Sequence, residues 1–207
     1  MAASRFVVFA GVDPLRLSGA TLAVLYPLFC LAPLGLAFTR RVAPADSWEY
    51  AAAGLGLVGL GTLAVQFVTS GRFRIVSGHP GIDKIMAFHK VAARWALGAL
   101  ALHPLAYVVP TWLEHPDLGS ERLIAYLSLP HYRSGVIALA ALLMLVGSSM
   151  LRERLPWRYE AWRASHVILA LIAIGGGLHH AVTAGRFSAM GAVHGFWWAV
   201  GSVVLAV

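Results

Sequence analysis

The chain has 207 residues, of which 59% are hydrophobic and 12% charged, with 16 Lys and Arg against 9 Asp and Glu and a formal charge of +7. A mean hydropathy of +0.74 leaves too little polar surface to dress a water-soluble globule, and the composition excludes disorder as well. The positive charge falls in short clusters between apolar runs, which fits membrane orientation and argues against nucleic-acid binding.

Six runs are long enough to cross a hydrocarbon core of about 30 Å, which takes roughly 20 apolar residues. They predict spans at Leu17–Phe38, Trp48–Thr69, Ile82–Val109, Tyr132–Leu151, Tyr159–Ala184 and Phe187–Val207. The runs are continuous and do not alternate, so helices are predicted over strands. The reading is an all-α, polytopic membrane protein, a six-helix bundle in one domain over residues 1–207. The connections hold breakers: Pro44 in the first, Pro80 in the second, and Pro110 to Pro130 bounding the longest.

The first 16 residues contain Arg5, Asp13 and Arg16 and no compact cleavage site, so the first span is predicted to stay. Cys30 is the lone cysteine and sits in an apolar run, which excludes a disulfide framework or a thiolate metal site. The N-terminus with the second and fourth connections carries Arg5, Arg16, Arg72, Arg74, Lys84, Lys90, Arg94, Arg152, Arg154, Arg158 and Arg163, leaving only five cations opposite. The positive-inside rule then predicts both termini in the cytoplasm. The last span ends on Val-Val-Leu-Ala-Val without a polar anchor, which predicts that the natural protein continues beyond it.

An ionisable residue inside a span is costly and marks function. His89 and His103 lie on the third span, His166, His179 and His180 on the fifth, and His194 on the sixth. Fourteen residues separate His89 from His103, which is a rise of about 21 Å with the side chains about 40° apart in azimuth. The third and fifth spans run in the same direction, so His89 meets His166 near one face and His103 meets His179 or His180 near the other. Facing imidazoles suit the two axial positions of a haem iron, and two such layers make a transmembrane wire of two haems b. Zinc is disfavoured because its ligands must converge on one ion, and the absence of CxxCH excludes c-type attachment.

On the fifth span, ideal geometry favours His180, which repeats the 14-residue step, whereas a distortion at Gly175–Gly177 would bring in His179. Lys90, Arg94 and Arg163 lie beside the first layer and are candidates to neutralise haem propionates, with lipid-headgroup anchoring as the alternative. Trp95 lies between the third-span ligands, Pro104 follows His103, and His79, His115 and His131 fall in connections. His194 is a weaker candidate as ligand or proton donor.

The stretch His79-Pro-Gly-Ile-Asp-Lys-Ile-Met-Ala-Phe-His89-Lys, the later His103-Pro, and Tyr159-Glu-Ala-Trp-Arg-Ala-Ser-His166 with His179-His180 resemble the ferric reductase-like transmembrane domain. That domain is shared by ferric reductases and NADPH oxidases, bacterial relatives included. The resemblance implies two haems b, one on His89 and His166, the other on His103 and, by the 13-residue separation of the oxidases, His179. It also implies a bacterial inner-membrane oxidoreductase. A cytoplasmic FAD- and NAD(P)H-binding dehydrogenase would be the electron donor, docking on the basic connections around Arg72–Lys84 and Arg152–Arg163. Oxygen or ferric iron would be the acceptor beyond the membrane. The acceptor would approach past residues 110–131, where Glu114, Asp117 and Glu121 are candidate attractors of ferric iron. No glycine-rich dinucleotide motif occurs in this chain, so such a dehydrogenase would lie on another segment or subunit. Two other readings remain open on sequence: a stand-alone haem subunit passing electrons from quinol to a separate reductase, and a haem-free proton-coupled transporter or channel.

Overall fold

The structure is a computed structural model that describes residues 17–39, 44–70, 76 and 80–206. Arg5, Arg16, Arg40, Arg41, Arg72, Arg74 and His79 lie outside the described residues. Among those described there is no strand, and seven α-helices succeed one another in chain order: α1 Gly19–Phe38, α2 Ser47–Val68, α3 Ile82–Glu114, α4 Pro116–Ser128, α5 Arg133–Met150, α6 Tyr159–Thr183 and α7 Gly191–Ala206. Five of the apolar segments are long enough to cross a membrane: α1, α2, α3, α5 with its leading turn, and α6.

Local chemistry sets the ends. Ser18 caps α1 by accepting from the Thr21 N–H at 3.0 Å, and Asp46 caps α2 by accepting from Glu49 N–H at 2.8 Å. Glu49 in the first turn of α2 also suits the positive end of the helix dipole. α3 starts after Gly81, whose φ of 87° is left-handed and readily adopted only by glycine.

Two predicted boundaries are corrected. The third span does not stop before Pro110; α3 runs 33 residues to Glu114 with Pro104 and Pro110 inside it. A proline removes one donor, a loss that a long, laterally supported membrane helix tolerates. Beyond Glu114 stands the 13-residue helix α4, with Pro116 in its first turn, where the missing N–H costs nothing. Its shortness hid it among residues read as a connection. The sixth span begins late: Phe187 and Ser188 form a buried turn in which Ser188 Oγ donates to Ala181 O at 2.5 Å. After Gly191 (φ 70°), α7 holds 16 residues, shorter than a full crossing.

Small residues set the packing. A Cβ on Gly61 of α2 would stand 3.0 Å from Cys30 O of α1, and one on Gly59 would stand 3.3 Å from Ala99 Cβ of α3. On α6, a Cβ at Gly176 would lie 2.9 Å from Ser134 O and 3.1 Å from Ala138 Cβ of α5. Close backbone approach of this kind supplies the dispersion contacts that hold helices together in lipid, where no hydrophobic drive exists. The pairs α2–α3, α3–α5, α5–α6 and α6–α2 close a four-helix ring, and α1 and α7 pack outside it. α3 and α6 stand on a diagonal of that ring, without extended contact between them.

Candidate functional site

The histidine-bearing helices face one another across this diagonal in two layers. In the first layer, His89 of α3 and His166 of α6 are close enough for their charges to interact. In the second, His180 of α6 stands in the same relation to His103 of α3. All four rings are half-buried, whereas His179 is exposed. His180 is thus the half-buried member of the pair and packs against Gly135 of α5, while His179 is exposed, as regular α6 geometry through Thr183 separates consecutive side chains by about 100°.

The ring nitrogens carry the chemical information. His103 Nδ1 lies 2.6 Å from Ala52 O of α2, and a carbonyl only accepts, so Nδ1 bears the proton. His166 Nδ1 lies 3.1 Å from Ser149 Oγ of α5. That hydroxyl donates to Leu145 O at 2.7 Å, so its oxygen accepts from the imidazole. Each bond fixes a tautomer in which Nε2 keeps its lone pair, the arrangement of a metal-binding histidine held from behind. His89 Nδ1 and His180 Nδ1 are buried and have no partner.

Glycines clear space for two of these rings. A Cβ at Gly56 of α2 would stand 2.6 Å from His103 Nδ1, and one at Gly135 of α5 would stand 2.8 Å from His180 Nδ1. Both distances are shorter than real Cβ contacts, so any side chain there displaces an imidazole. Three tyrosines roof the second layer. The Tyr107 ring lies 5.5 Å from that of His103, Tyr126 of α4 lies 4.9 Å from Tyr132, and Tyr132 lies 6.3 Å from His180. α4 is fixed over this end by Gly119, buried against Trp112, and by Arg122, which donates to Thr111 Oγ1 of α3 at 2.7 Å. A salt bridge from Arg186 to Glu49 ties the turn before α7 to the start of α2.

The remaining sequence candidates are exposed or engaged within their own helices. Arg94 is exposed and its Nε donates to Lys90 O of its own helix. Arg163 is exposed in a shallow groove with Tyr159, Glu160 and Val167. Trp95 is exposed, and His115 and His131 are exposed at the ends of α4. His194 Nε2 accepts from Trp198 Nε1 at 3.1 Å within α7. Sequence reasoning did not single out Ala52, Gly56, Gly135 or Ser149. Gly56 and Gly135 carry a faint signal as glycines inside spans, but Ala52 acts through its backbone and has no sequence signature.

The donor set suits one kind of group. No cluster of three or more His, Cys, Asp or Glu that could hold a metal ion occurs among the described residues. Two facing imidazoles per layer leave a metal short of ligands unless a macrocycle supplies the rest, which is the chemistry of a bis-histidine haem. The separation of α3 and α6 across the ring and the two Nε2 lone pairs set by the bonds to Ala52 and Ser149 fit such a group.

Residues 55–177, from α2 into α6, match the family described as ferric reductase like transmembrane component. The match includes His89, His103 and His166 and ends just before His179 and His180. An uncharacterized protein of Archaeoglobus fulgidus is 29% identical over 127 residues, 60% of this chain and 69% of the relative. No solved structure matches the chain.

Proposed function

This chain belongs to the ferric reductase like transmembrane component family, and from that premise we propose that it carries electrons across the membrane through two bis-histidine haems b. The family places it among membrane oxidoreductases in general. His89 and His166 would hold one haem and His103 and His180 the other. The observation that carries the reading is the paired tautomer control, His103 Nδ1 to Ala52 O and His166 Nδ1 to Ser149 Oγ, one in each layer.

When bound, each haem supplies a one-electron couple that no side chain here provides. The protein does the rest. Ala52 and Ser149 orient the imidazoles and raise the basicity of Nε2. The Cβ-free positions 56 and 135 leave the rings room, and the apolar walls of α2 and α5 keep water from the crossing. The 14-residue step along α3 sets the two layers about 21 Å apart along the helix, enough to cover most of the hydrocarbon core.

The donor in this reading is a cytoplasmic flavin dehydrogenase using FAD and NAD(P)H, carried by another segment or subunit. It would meet the end of the bundle bearing Arg152, Arg154, Arg158 and Arg163. Oxygen or ferric iron would receive the electrons at the tyrosine-roofed end, outside a bacterial inner membrane with cytoplasmic termini. The test is a reduced-minus-oxidised spectrum of the purified membrane protein with haem quantitation. Sharp b-type bands at about two haems per chain support the proposal. A colourless protein, or a His103→Ala variant with the same haem content as wild type, overturns it.

A further inference from the structure

A group of polar atoms at the His89–His166 end takes no part in ligating iron or in setting a tautomer. Trp162 stands one turn before His166 on the same stripe of α6, with ring centroids 5.4 Å apart. Its Nε1–H is buried and lacks an acceptor. Arg152, from the turn after α5, lays its guanidinium over that indole, 5.4 Å from the ring centroid. Arg152 is half-buried, while Arg154, Arg158 and Arg163 around it are exposed. Among the described residues Arg152 has no ion pair; Glu160, the nearby acid in a salt bridge, is engaged with Arg158.

An indole N–H without an acceptor and a half-buried cation without a counter-ion are each costly at the edge of a bilayer. The indole lies beside the His166 ring and the guanidinium over the indole, and both are satisfied by the same chemistry, an oxyanion. Guanidinium binds carboxylate through parallel N–H donors, and the indole adds a third donor from an adjacent direction. Stacking on the indole keeps the guanidinium plane in place before the anion arrives.

We propose that Trp162 and Arg152 form an oxyanion clamp that receives a carboxylate of the group bound by His89 and His166, a haem propionate. This rests on the two-haem reading, and it moves the propionate role from Arg94 and Arg163 to Arg152 and Trp162. A phospholipid phosphate is the other source of the same chemistry. Both clamp members are positioning residues: they hold the macrocycle edge and place positive charge beside it, which favours the reduced iron.

The experiment uses the full protein in nanodiscs with Trp162→Phe, Arg152→Gln and the exposed control Arg158→Gln. Resonance Raman reads the propionate bending modes, potentiometric titration reads the midpoints, and native mass spectrometry reads retained phospholipid. The expected result is a shifted propionate band and a lowered midpoint of one haem in Trp162→Phe and Arg152→Gln, with both haems retained and Arg158→Gln unchanged. An unmoved band overturns the clamp, as does an equal shift in Arg158→Gln. Loss of bound phospholipid with an unmoved band assigns the site to lipid phosphate and also overturns it. Trp162→Phe keeps an aromatic ring against Arg152 and carries the test alone if Arg152→Gln fails to fold. A wild-type protein without haem would instead defeat the parent reading, a result readable before any variant is made.

Discussion

Gly56→Ala is the sharpest test of the second histidine layer. The added methyl would stand 2.6 Å from His103 Nδ1 and 2.7 Å from Cε1, where ordinary contact begins at 3.4 Å. The ring must recede by roughly 0.8 Å, more than the roughly 0.5 Å tolerance of a functional constellation. It must also loosen the 2.6 Å bond to Ala52 O, losing about 0.5–1.5 kcal/mol and its tautomer control. Disturbing an outer-shell partner of a metal-binding histidine typically costs about 10–100-fold in affinity, and the steric term adds to this. Gly54→Ala, on the same helix, is the control, because nothing lies within 4 Å of its Cβ. Any helix-propensity gain is common to both variants and cancels between them. Pyridine haemochrome stoichiometry with apomyoglobin capture measures haem content and release. Gly56→Ala should fall toward one haem per chain or release one at least tenfold faster than Gly54→Ala. Equal content and equal release would refute the placement of His103 as a ligand.

The same geometry sets four further outcomes. His180→Ala should lose one haem while His179→Ala keeps both, because His180 is half-buried and His179 exposed; the reverse result, read by haem quantitation, restores His179. Gly135→Ala should weaken the same haem as Gly56→Ala, since its Cβ would lie 2.8 Å from His180 Nδ1; two distinguishable spectral losses would contradict a shared site. Ser149→Ala leaves His166 Nδ1 without its acceptor and should weaken the other haem about 10-fold or more, seen as faster haem release. Gly119→Leu drives a side chain into Trp112, 2.5 Å from its Cα, and should release α4. Hydrogen exchange in 116–128 should rise while the spans stay protected.

Much of this arrangement was legible in the sequence, for identifiable reasons. Apolar runs near 20 residues gave α1, α2, α3, α5 and α6, because a bilayer fixes length and the backbone must bond within each segment. The 14-residue step gave the faces of His89 and His103, because helix periodicity is rigid. Period likewise favoured His180 over His179, while the family spacing pointed the other way. The hidden part depends on third helices. Ala52 O and Ser149 Oγ reach the rings from α2 and α5, and no spacing along α3 or α6 encodes them. Arg94 and Arg163 are near the rings in sequence, yet both are exposed, and Arg94 is bonded to Lys90 O of its own helix. Arg152, fourteen positions from His166, reaches the ring of its neighbour Trp162 through the α5–α6 turn.

The polar atoms of this bundle can be sorted by what they do without a bound group, and the sorting bears on function. Thr62, Ser148 and Thr183 donate to carbonyls of their own helices and are complete in the protein alone. His194 is also satisfied, by Trp198. The buried side-chain atoms without a partner among the described residues are Gln66 Oε1, His89 Nδ1, Trp162 Nε1, His180 Nδ1 and Trp197 Nε1; three of the five belong to the histidine layers, His89 and Trp162 at one end and His180 at the other. A proton relay needs groups within reach of one another or of water, and these lie in two layers joined by apolar wall. In the two-haem reading each layer is offered a ligand plane and, at the Trp162 end, an anion. The pair of macrocycles proposed above suits this two-layer arrangement better than a haem-free relay, which needs a continuous chain of polar groups.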